Sequence, residues 1–124
     1  DTLEFAAPWS RFVGLVEAVR SALGETVFVM AHMSHAYVDG CSVYFTFAGR
    51  GGNLDETRAT YDRTIAAALD AAARAGGSVT HHHGVGLSKA PFAKREVGPA
   101  MAIFRALKAN LDPAGVLNPG KAGL

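Results

Sequence analysis

Strict alternation over Ser42–Ala48 constrains this chain more than any other stretch. Val43, Phe45 and Phe47 fall on one face of an extended strand, and Ser42, Tyr44 and Thr46 fall on the other. Such a strand buries one face and leaves the other to water or a ligand, as in an antiparallel sheet covered on one side. Thr26–His35, rich in Val, Phe and Met, reads as a second strand with apolar residues on both faces. Asp39-Gly40 is a hairpin-type turn signal between the two, inside a connection longer than a tight turn. The two strands are therefore expected to be adjacent and antiparallel.

Helical periodicity frames this pair. From Pro8 to Leu23, Trp9, Phe12, Leu15, Val16, Val19 and Leu23 recur at three- and four-residue steps, Pro8 suits a first helical position, and Gly24 stops the run. Asn53 with Glu56 three residues on resembles a capping box. It opens the longest helix, which ends at Gly76-Gly77 and carries Leu54, Tyr61, Ile65, Ala68, Leu69 and Ala72 as its buried stripe. Both helices should lie on the same face of the sheet, since each has one apolar stripe to bury. Ser78–His83 reads as a short third strand. A last helix holds Met101, Phe104, Leu107 and Leu111, with Gly98-Pro99 either kinking it or marking its start. Asp112-Pro113-Ala114-Gly115 and Asn118-Pro119-Gly120-Lys121 are turn patterns. The order α-β-β-α-β-α indicates an α+β fold, a small, mostly antiparallel sheet backed by helices.

With 124 residues there is room for one domain at most, and 49% apolar against 19% charged residues is globular composition rather than disorder. A net charge of +1 without a basic cluster argues against a nucleic-acid surface. The single cysteine, Cys41, excludes an internal disulfide, fits a reducing compartment, expected to be the cytoplasm, and reads as a small buried apolar residue. No apolar run approaches the roughly 18 to 20 residues of a membrane span, and no signal peptide is visible. The chain opens on Asp1 with a strand or helix lead-in, which reads as a piece of something longer.

Chemistry concentrates in His81-His82-His83-Gly84-Val85-Gly86. Histidine titrates nearest neutral pH and serves as proton donor, proton acceptor or metal ligand. Glycine lets the backbone turn sharply and approach a flat ligand. In an extended segment His81 and His83 share a face and His82 takes the other. One reading is a strand end with solvated histidines. The other is acid–base work beside the phenol of Tyr44, with the Tyr44 hydroxyl and His81 or His83 opening into one cleft. Zinc would need further ligands from Cys41 and His32 or His35, and no metal site is expected. His32 and His35 read as satisfied sheet histidines. Gly84-Val85-Gly86 lacks both the trailing GK[ST] and the full GxGxxG spacing of nucleotide loops. Lys89 is placed to meet an anionic substrate group, whereas Lys94 and Arg95 read as solvated cations.

The run Gly76-Gly77-Ser78-Val79-Thr80-His81-His82-His83-Gly84-Val85-Gly86 resembles the C-terminal part of FAD-linked oxidases of the vanillyl-alcohol oxidase superfamily. The tail Leu111-Asp112-Pro113-Ala114-Gly115-Val116-Leu117-Asn118-Pro119-Gly120-Lys121 is similar to that family's closing signature. A triple histidine, where the glycolate and D-lactate branches carry Glu-His-Gly, resembles the alkylglycerone-phosphate synthase branch. Ala7-Pro8-Trp9-Ser10, His32-Met33-Ser34-His35-Ala36-Tyr37 and Gly40-Cys41-Ser42-Val43-Tyr44-Phe45 are similar to it as well.

The resemblance implies a two-domain flavoenzyme whose FAD-binding domain precedes this segment. Residues 1–97 would then be part of the substrate-binding cap domain, and 98–124 a C-terminal helix and tail packing towards the missing domain. Tyr44, His81, His82 and His83 would be catalytic. Gly84, Gly86 and Asn118 would contact FAD, and Lys89 would contact a small-molecule or lipid-like substrate. His83 is expected to accept the proton, because it abuts Gly84 and matches the single histidine of the oxidase branch; His82 is expected to hold the site in place. Two chemistries remain open: exchange of an acyl group for a fatty alcohol on acylated dihydroxyacetone phosphate, in ether-lipid synthesis, or oxidation of a 2-hydroxy acid or alcohol. Leu87-Ser88-Lys89-Ala90-Pro91 is less basic than its synthase equivalent. The segment alone is expected to be inactive, to bind little or no FAD, and to cover exposed apolar surface at Val116, Leu117 and the last helix, by forming a homodimer or otherwise. The reading from another class is a non-catalytic metal- or partner-binding module built on the triplet.

Overall fold

A computed structural model describes all of residues 1–124. Its elements run β1 (Thr2–Pro8), α1 (Trp9–Gly24), β2 (Phe28–Ala36), β3 (Gly40–Ala48), α2 (Leu54–Arg74), α3 (Ala90–Val97), a 3-10 turn at Gly98–Ala100, α4 (Met101–Leu111) and a closing 3-10 turn at Lys121–Gly123. The three strands form one antiparallel sheet in the order β1-β3-β2. This is the α+β arrangement the patterning predicts, with β2 and β3 adjacent and antiparallel.

The alternation of β3 sorts the molecule into two sides. Cys41, Val43, Phe45 and Phe47 are buried with Leu3, Phe5 and Ala7 of β1, under Phe12, Leu15, Val19 and Leu23 of α1 and Ile65, Ala68, Leu69 and Ala72 of α2. Phe5 and Phe45 meet at the centre with ring centroids 5.9 Å apart. Asn53 caps α2 as its sequence suggests, its side chain accepting the Glu56 N–H at 2.9 Å. The buried stripe of α2 starts only at Thr64; Leu54 stays exposed, and Tyr61 is half-exposed at the edge of the core, its ring against Phe47 and its hydroxyl on the Asp1 carboxylate. The opposite face of the sheet carries no helix; there Glu4, Ser42 and Tyr44 lie side by side, with Glu4 directly across from Tyr44 in the register.

Two expectations need correction. The chain begins with a full strand, β1, whose residues pair from Thr2↔Thr46 to Pro8↔Gly40. Ser78–His83 is not a strand: only Ser78 pairs, with Ala6 of β1 rather than with β3. Past Ser78 the backbone is claimed by side chains, which compete with a ladder. The Ser78 hydroxyl donates to the Thr80 carbonyl at 2.7 Å, the Thr80 hydroxyl to the Gly84 carbonyl at 2.9 Å, and the Val79 N–H to a Glu96 carboxylate at 2.9 Å. The triplet is therefore bent, and the two-face assignment of an extended segment does not hold for it.

At the C-terminus Gly98, at φ +58, ends α3 and lets α4 start afresh. Asp112 closes α4 by pairing with Lys108 and accepting the N–H groups of Val116 and Leu117, each at 2.9 Å. Both tail turns form, with Gly115 N–H donating to Asp112 and Lys121 N–H to Asn118. The Ala122 N–H donates to the Gly86 carbonyl at 2.8 Å, which ties the tail to the glycine loop. Only Met101 of α4 is buried; Ile103, Phe104, Leu107, Leu111, Val116 and Leu117 form the exposed apolar surface expected there.

Truncation of Phe45 to Ala should cost about 3–5 kcal/mol, as for other large buried rings. Phe28→Ala, on a ring 66% exposed, should stay within about 0.5 kcal/mol. Denaturant titrations read both, and equal losses would contradict this placement of the core.

Candidate active site

Glu4 sits on the uncovered face of β1 yet is fully buried. The roof is the bent triplet, and the walls are Ser42 and the end of β2. Between Met33 and His35 the β2–β3 register slips by one residue, a bulge that turns both Ser34 and His35 towards Glu4. Ser34 and Ser42 each donate a hydroxyl to Glu4 Oε1 at 2.8 Å. Four of the chain's five histidines surround the same carboxylate. His35 Nδ1 is 3.6 Å and His81 Nδ1 3.4 Å from Oε1, while His82 Nδ1 is 3.0 Å and His83 Nε2 3.7 Å from Oε2. His82 therefore faces the same centre as its neighbours, and its expected place on the opposite face is corrected. His35 is likewise part of the site, and His32 stays exposed on the open sheet face.

The imidazoles connect to two phenols. The Tyr44 hydroxyl is hydrogen-bonded at close range to His83 Nε2 and lies 3.5 Å from His82 Nε2. At the other end His81 Nε2 meets the Tyr37 hydroxyl at 3.0 Å, and His81 Nδ1 lies 2.9 Å from His82 Nδ1. The β2–β3 connection is tighter than its sequence suggests, only residues 37–39, because the Tyr37 N–H donates to the Gly40 carbonyl at 2.8 Å and closes it. Trp9 Nε1 donates to the Tyr37 carbonyl at 3.0 Å, and a Cβ at Gly40 would sit 2.4 Å from the Ala7 carbonyl oxygen. Tyr44 thus reaches the triplet from the polar face its alternation assigns. Glu4, Ser34 and Tyr37 are neighbours of the cluster that the sequence reading missed. The one available signal for Glu4 was its place between Leu3 and Phe5, out of phase with the apolar face.

Burial alone pushes the Glu4 carboxyl up, but the hydroxyls of Ser42 and Ser34 and the charge of His82 and His81 outweigh it and hold the group below its usual 4.5. Lys89 is buried beside the loop; desolvation lowers its ammonium from 10.5, and the Glu4 charge opposes the shift. Its Nζ donates to the Thr80 hydroxyl at 3.4 Å. Cys41 is buried, as expected, and burial pushes its thiol up. The cluster stands between two openings. A cleft of about 870 Å³ reaches Tyr37 and His81, and a cavity of about 240 Å³ is lined by His83, Gly84, Gly86 and Lys89. Asn118 sits exposed in the tail turn at φ +46.

Residues 1–122 match the family described as FAD linked oxidases, C-terminal domain. The chain belongs to that family. An alkyldihydroxyacetonephosphate synthase of Dictyostelium discoideum is 34% identical over 99 residues, 79% of this chain and 16% of that protein. An uncharacterized FAD-linked oxidoreductase of Escherichia coli K12, YgcU, is 27% identical over 132 residues, 96% of this chain and 27% of that protein. The mitochondrial cytochrome-type D-lactate dehydrogenase of Kluyveromyces lactis is 28% identical over 121 residues, 97% of this chain and 20% of that protein. The chain thus spans about a sixth to a quarter of the length of these relatives. No helix is long and apolar enough to cross a membrane.

For an FAD linked oxidase domain the fit of a flavin is tested at the glycine loop. Gly84 and Gly86 adopt φ +72 and +58, and nothing lies within 4 Å of a Cβ built on either. The loop beside His83 therefore has open space where a flat ring can approach backbone, and the residues present fit the group. The site also contains a donor set for a divalent ion: one ligand atom each from Glu4, His35, His81 and His82, all within 4.8 Å of one another.

The depressed Glu4 value fixes a sign. A carboxyl held low in the folded state contributes stability above its unfolded pKa and loses that contribution as pH falls through the folded value. Glu4→Gln should be less stable than the parent at neutral pH, and the gap should narrow as pH falls below 4.5. Denaturant midpoints across pH read this directly. A gap that stays constant into acid would contradict the charged form of Glu4 as the stabilising one.

Proposed function

We propose that this chain is the C-terminal part of an FAD-dependent enzyme in which Tyr44 and His83 form the proton-transfer pair. The hydrogen bond between the Tyr44 hydroxyl and His83 Nε2, beside the open face of Gly84, carries the reading. FAD, held mainly by a preceding domain with Gly84, Gly86 and Asn118 at its edge, would supply acceptance of a hydride where the reaction is an oxidation, whereas the acyl-for-alcohol exchange is redox-neutral and leaves no net hydride on it. The substrate's proton passes to the Tyr44 oxygen as the Tyr44 hydroxyl hands its own proton to His83 Nε2, so that His83 is the final acceptor. His82, wedged between Glu4 and Tyr44, keeps both rings in place, and Tyr37 fixes His81 in the same way. Residues 1–97 serve as part of the substrate-binding cap, in the cytoplasm, and α4 with its tail packs its apolar face on the flavin domain. In the chain alone a second copy covers that face, which the mass in solution reads.

Similarity to alkyldihydroxyacetonephosphate synthases and to a D-lactate dehydrogenase supports both chemistries, ether-lipid synthesis and 2-hydroxy acid or alcohol oxidation. Both need a base at this position. In the full-length enzyme His83→Ala should lower turnover by about two to four orders of magnitude, the usual worth of a positioned acid or base. Tyr44→Phe should also lower it, and substrate binding should change far less in both. Steady-state kinetics check this, and near-normal turnover in His83→Ala would reject the assignment.

One observation favours a second reading, a metal-binding module. Glu4 Oε2 is buried without a hydrogen-bond partner and faces the donor set of His35, His81 and His82. Stoichiometric zinc in the purified chain would support it, and a metal-free chain with its fold intact would reject it.

A further inference from the structure

We propose that the main-chain N–H of Ala122 is a positioning group for the site: the tail turn Lys121–Gly123 is a strap that holds the glycine loop, and with it His83, in place. Ala122 lies at φ +55, in the left-handed region that a residue with a Cβ adopts uncommonly and only where its surroundings impose it. What imposes it is the bond from its N–H to the Gly86 carbonyl at 2.8 Å. Asn118 at φ +46 and Gly120 at φ +71 reverse the chain just before it, so the tail coils back onto the loop. The turn also rests on the start of α3: a Cβ at Gly123 would sit 3.9 Å from the Cβ and from the carbonyl oxygen of Ala90.

The loop needs such a strap. Nothing lies within 4 Å of a Cβ built on Gly84 or Gly86, so packing does not fix those positions, and glycine has the most conformational freedom to lose. Its order rests on three carbonyls instead. The Gly84 carbonyl accepts the Thr80 hydroxyl at 2.9 Å, and the Val85 carbonyl accepts the Lys89 N–H at 3.3 Å, both donors coming from the same short segment. The Gly86 carbonyl is the one held from a distant part of the chain. At its other end the tail is fixed to α4, where Asp112 accepts the N–H groups of Val116 and Leu117 and Lys108 reaches the Leu117 carbonyl. Hydrogen bonds and a short stretch of backbone thus join α4 to the loop, and the proton acceptor next to Gly84 is placed from outside its own segment.

The catalytic consequence rests on the acid–base reading, but the order of the loop is read without flavin or turnover, so the two can fail separately. The test is NMR relaxation of the Gly84, Val85 and Gly86 amides in the 124-residue chain. These amides should be rigid, with order parameters about 0.85, in the parent and in Ala122→Gly, which keeps the N–H and relieves the strained φ. Ala122→Pro removes the donor and forces φ to about −65°, and should drop them below about 0.6. The Phe5–Phe45 contact reports that each variant is folded. Should Ala122→Pro disturb it, a chain ending at Gly120 removes the same donor. In the full-length enzyme Ala122→Pro should lower kcat about ten- to a hundredfold with KM little changed, while Ala122→Gly should match the parent, a contrast that a merely stabilising tail would not give. Loop amides that stay rigid without the donor, equal loosening in Ala122→Gly, or a loosened loop with undiminished turnover would each overturn the proposal.

Discussion

A single carboxylate, that of Glu4, sets what the uncovered face of this sheet must look like. An ionised carboxylate removed from water is costly by several kcal/mol unless hydrogen bonds and opposite charge replace its hydration. Glu4 recruits those partners from three separate parts of the chain: Ser34 and His35 from the bulged end of β2, Ser42 from β3, and His81, His82 and His83 from the loop above. The bulge and the bent triplet bring these partners to that one group, whose Oε1 accepts both serine hydroxyls while Oε2 faces the imidazoles without a hydrogen bond. An apolar residue in its place would leave four imidazoles with no reason to converge.

The two sides of the sheet therefore have different physics. On the helix side, Phe5, Phe45, Leu15 and Leu69 are held by apolar burial, which is non-directional and tolerant of small shifts. On the open side the order comes from hydrogen bonds, which demand geometry but expose their ring nitrogens and hydroxyls to two cavities. A rigid core beneath a polar, accessible network suits a site that must hold a base in place while admitting a substrate. Family membership and this arrangement agree in kind. The family is described as FAD linked oxidases, one relative is named an FAD-linked oxidoreductase, and the loop beside His83 has open space beside its backbone.

The periodic parts were the legible ones. Alternation over Ser42–Ala48 gave the right faces, including the polar placement of Tyr44, and the spacing of Leu15, Val19 and Leu23 and the Asn53 cap located α1 and α2. Elements whose fate is decided by tertiary partners were not legible. β1 is short and begins the chain, so its pairing with β3 is invisible locally. Ser78–His83 has the composition of a strand, but its own hydroxyls and Glu96 take the backbone groups a ladder would need. α3 went unread because it is eight residues long and ends at a glycine in the left-handed region. Glu4 was missed for the same reason: nothing in Leu3-Glu4-Phe5 says that the charge will be roofed over. The triplet stands out in the sequence, but its partner Glu4 lies nearly eighty positions away, which no local reading shows.

Glu4 draws His82 and His83 onto Tyr44, and the ring nitrogens report on that directly. Long-range proton–nitrogen NMR of the chain at neutral pH should find His82 Nδ1, 3.0 Å from the carboxylate, carrying hydrogen, with Tyr44 ring protons close to those of His83. In Glu4→Gln both signatures should weaken together while the Phe5–Phe45 contact of the core persists. Retention of the same His82 tautomer and the same Tyr44–His83 proximity in Glu4→Gln would show that the triplet holds itself, and would contradict the account.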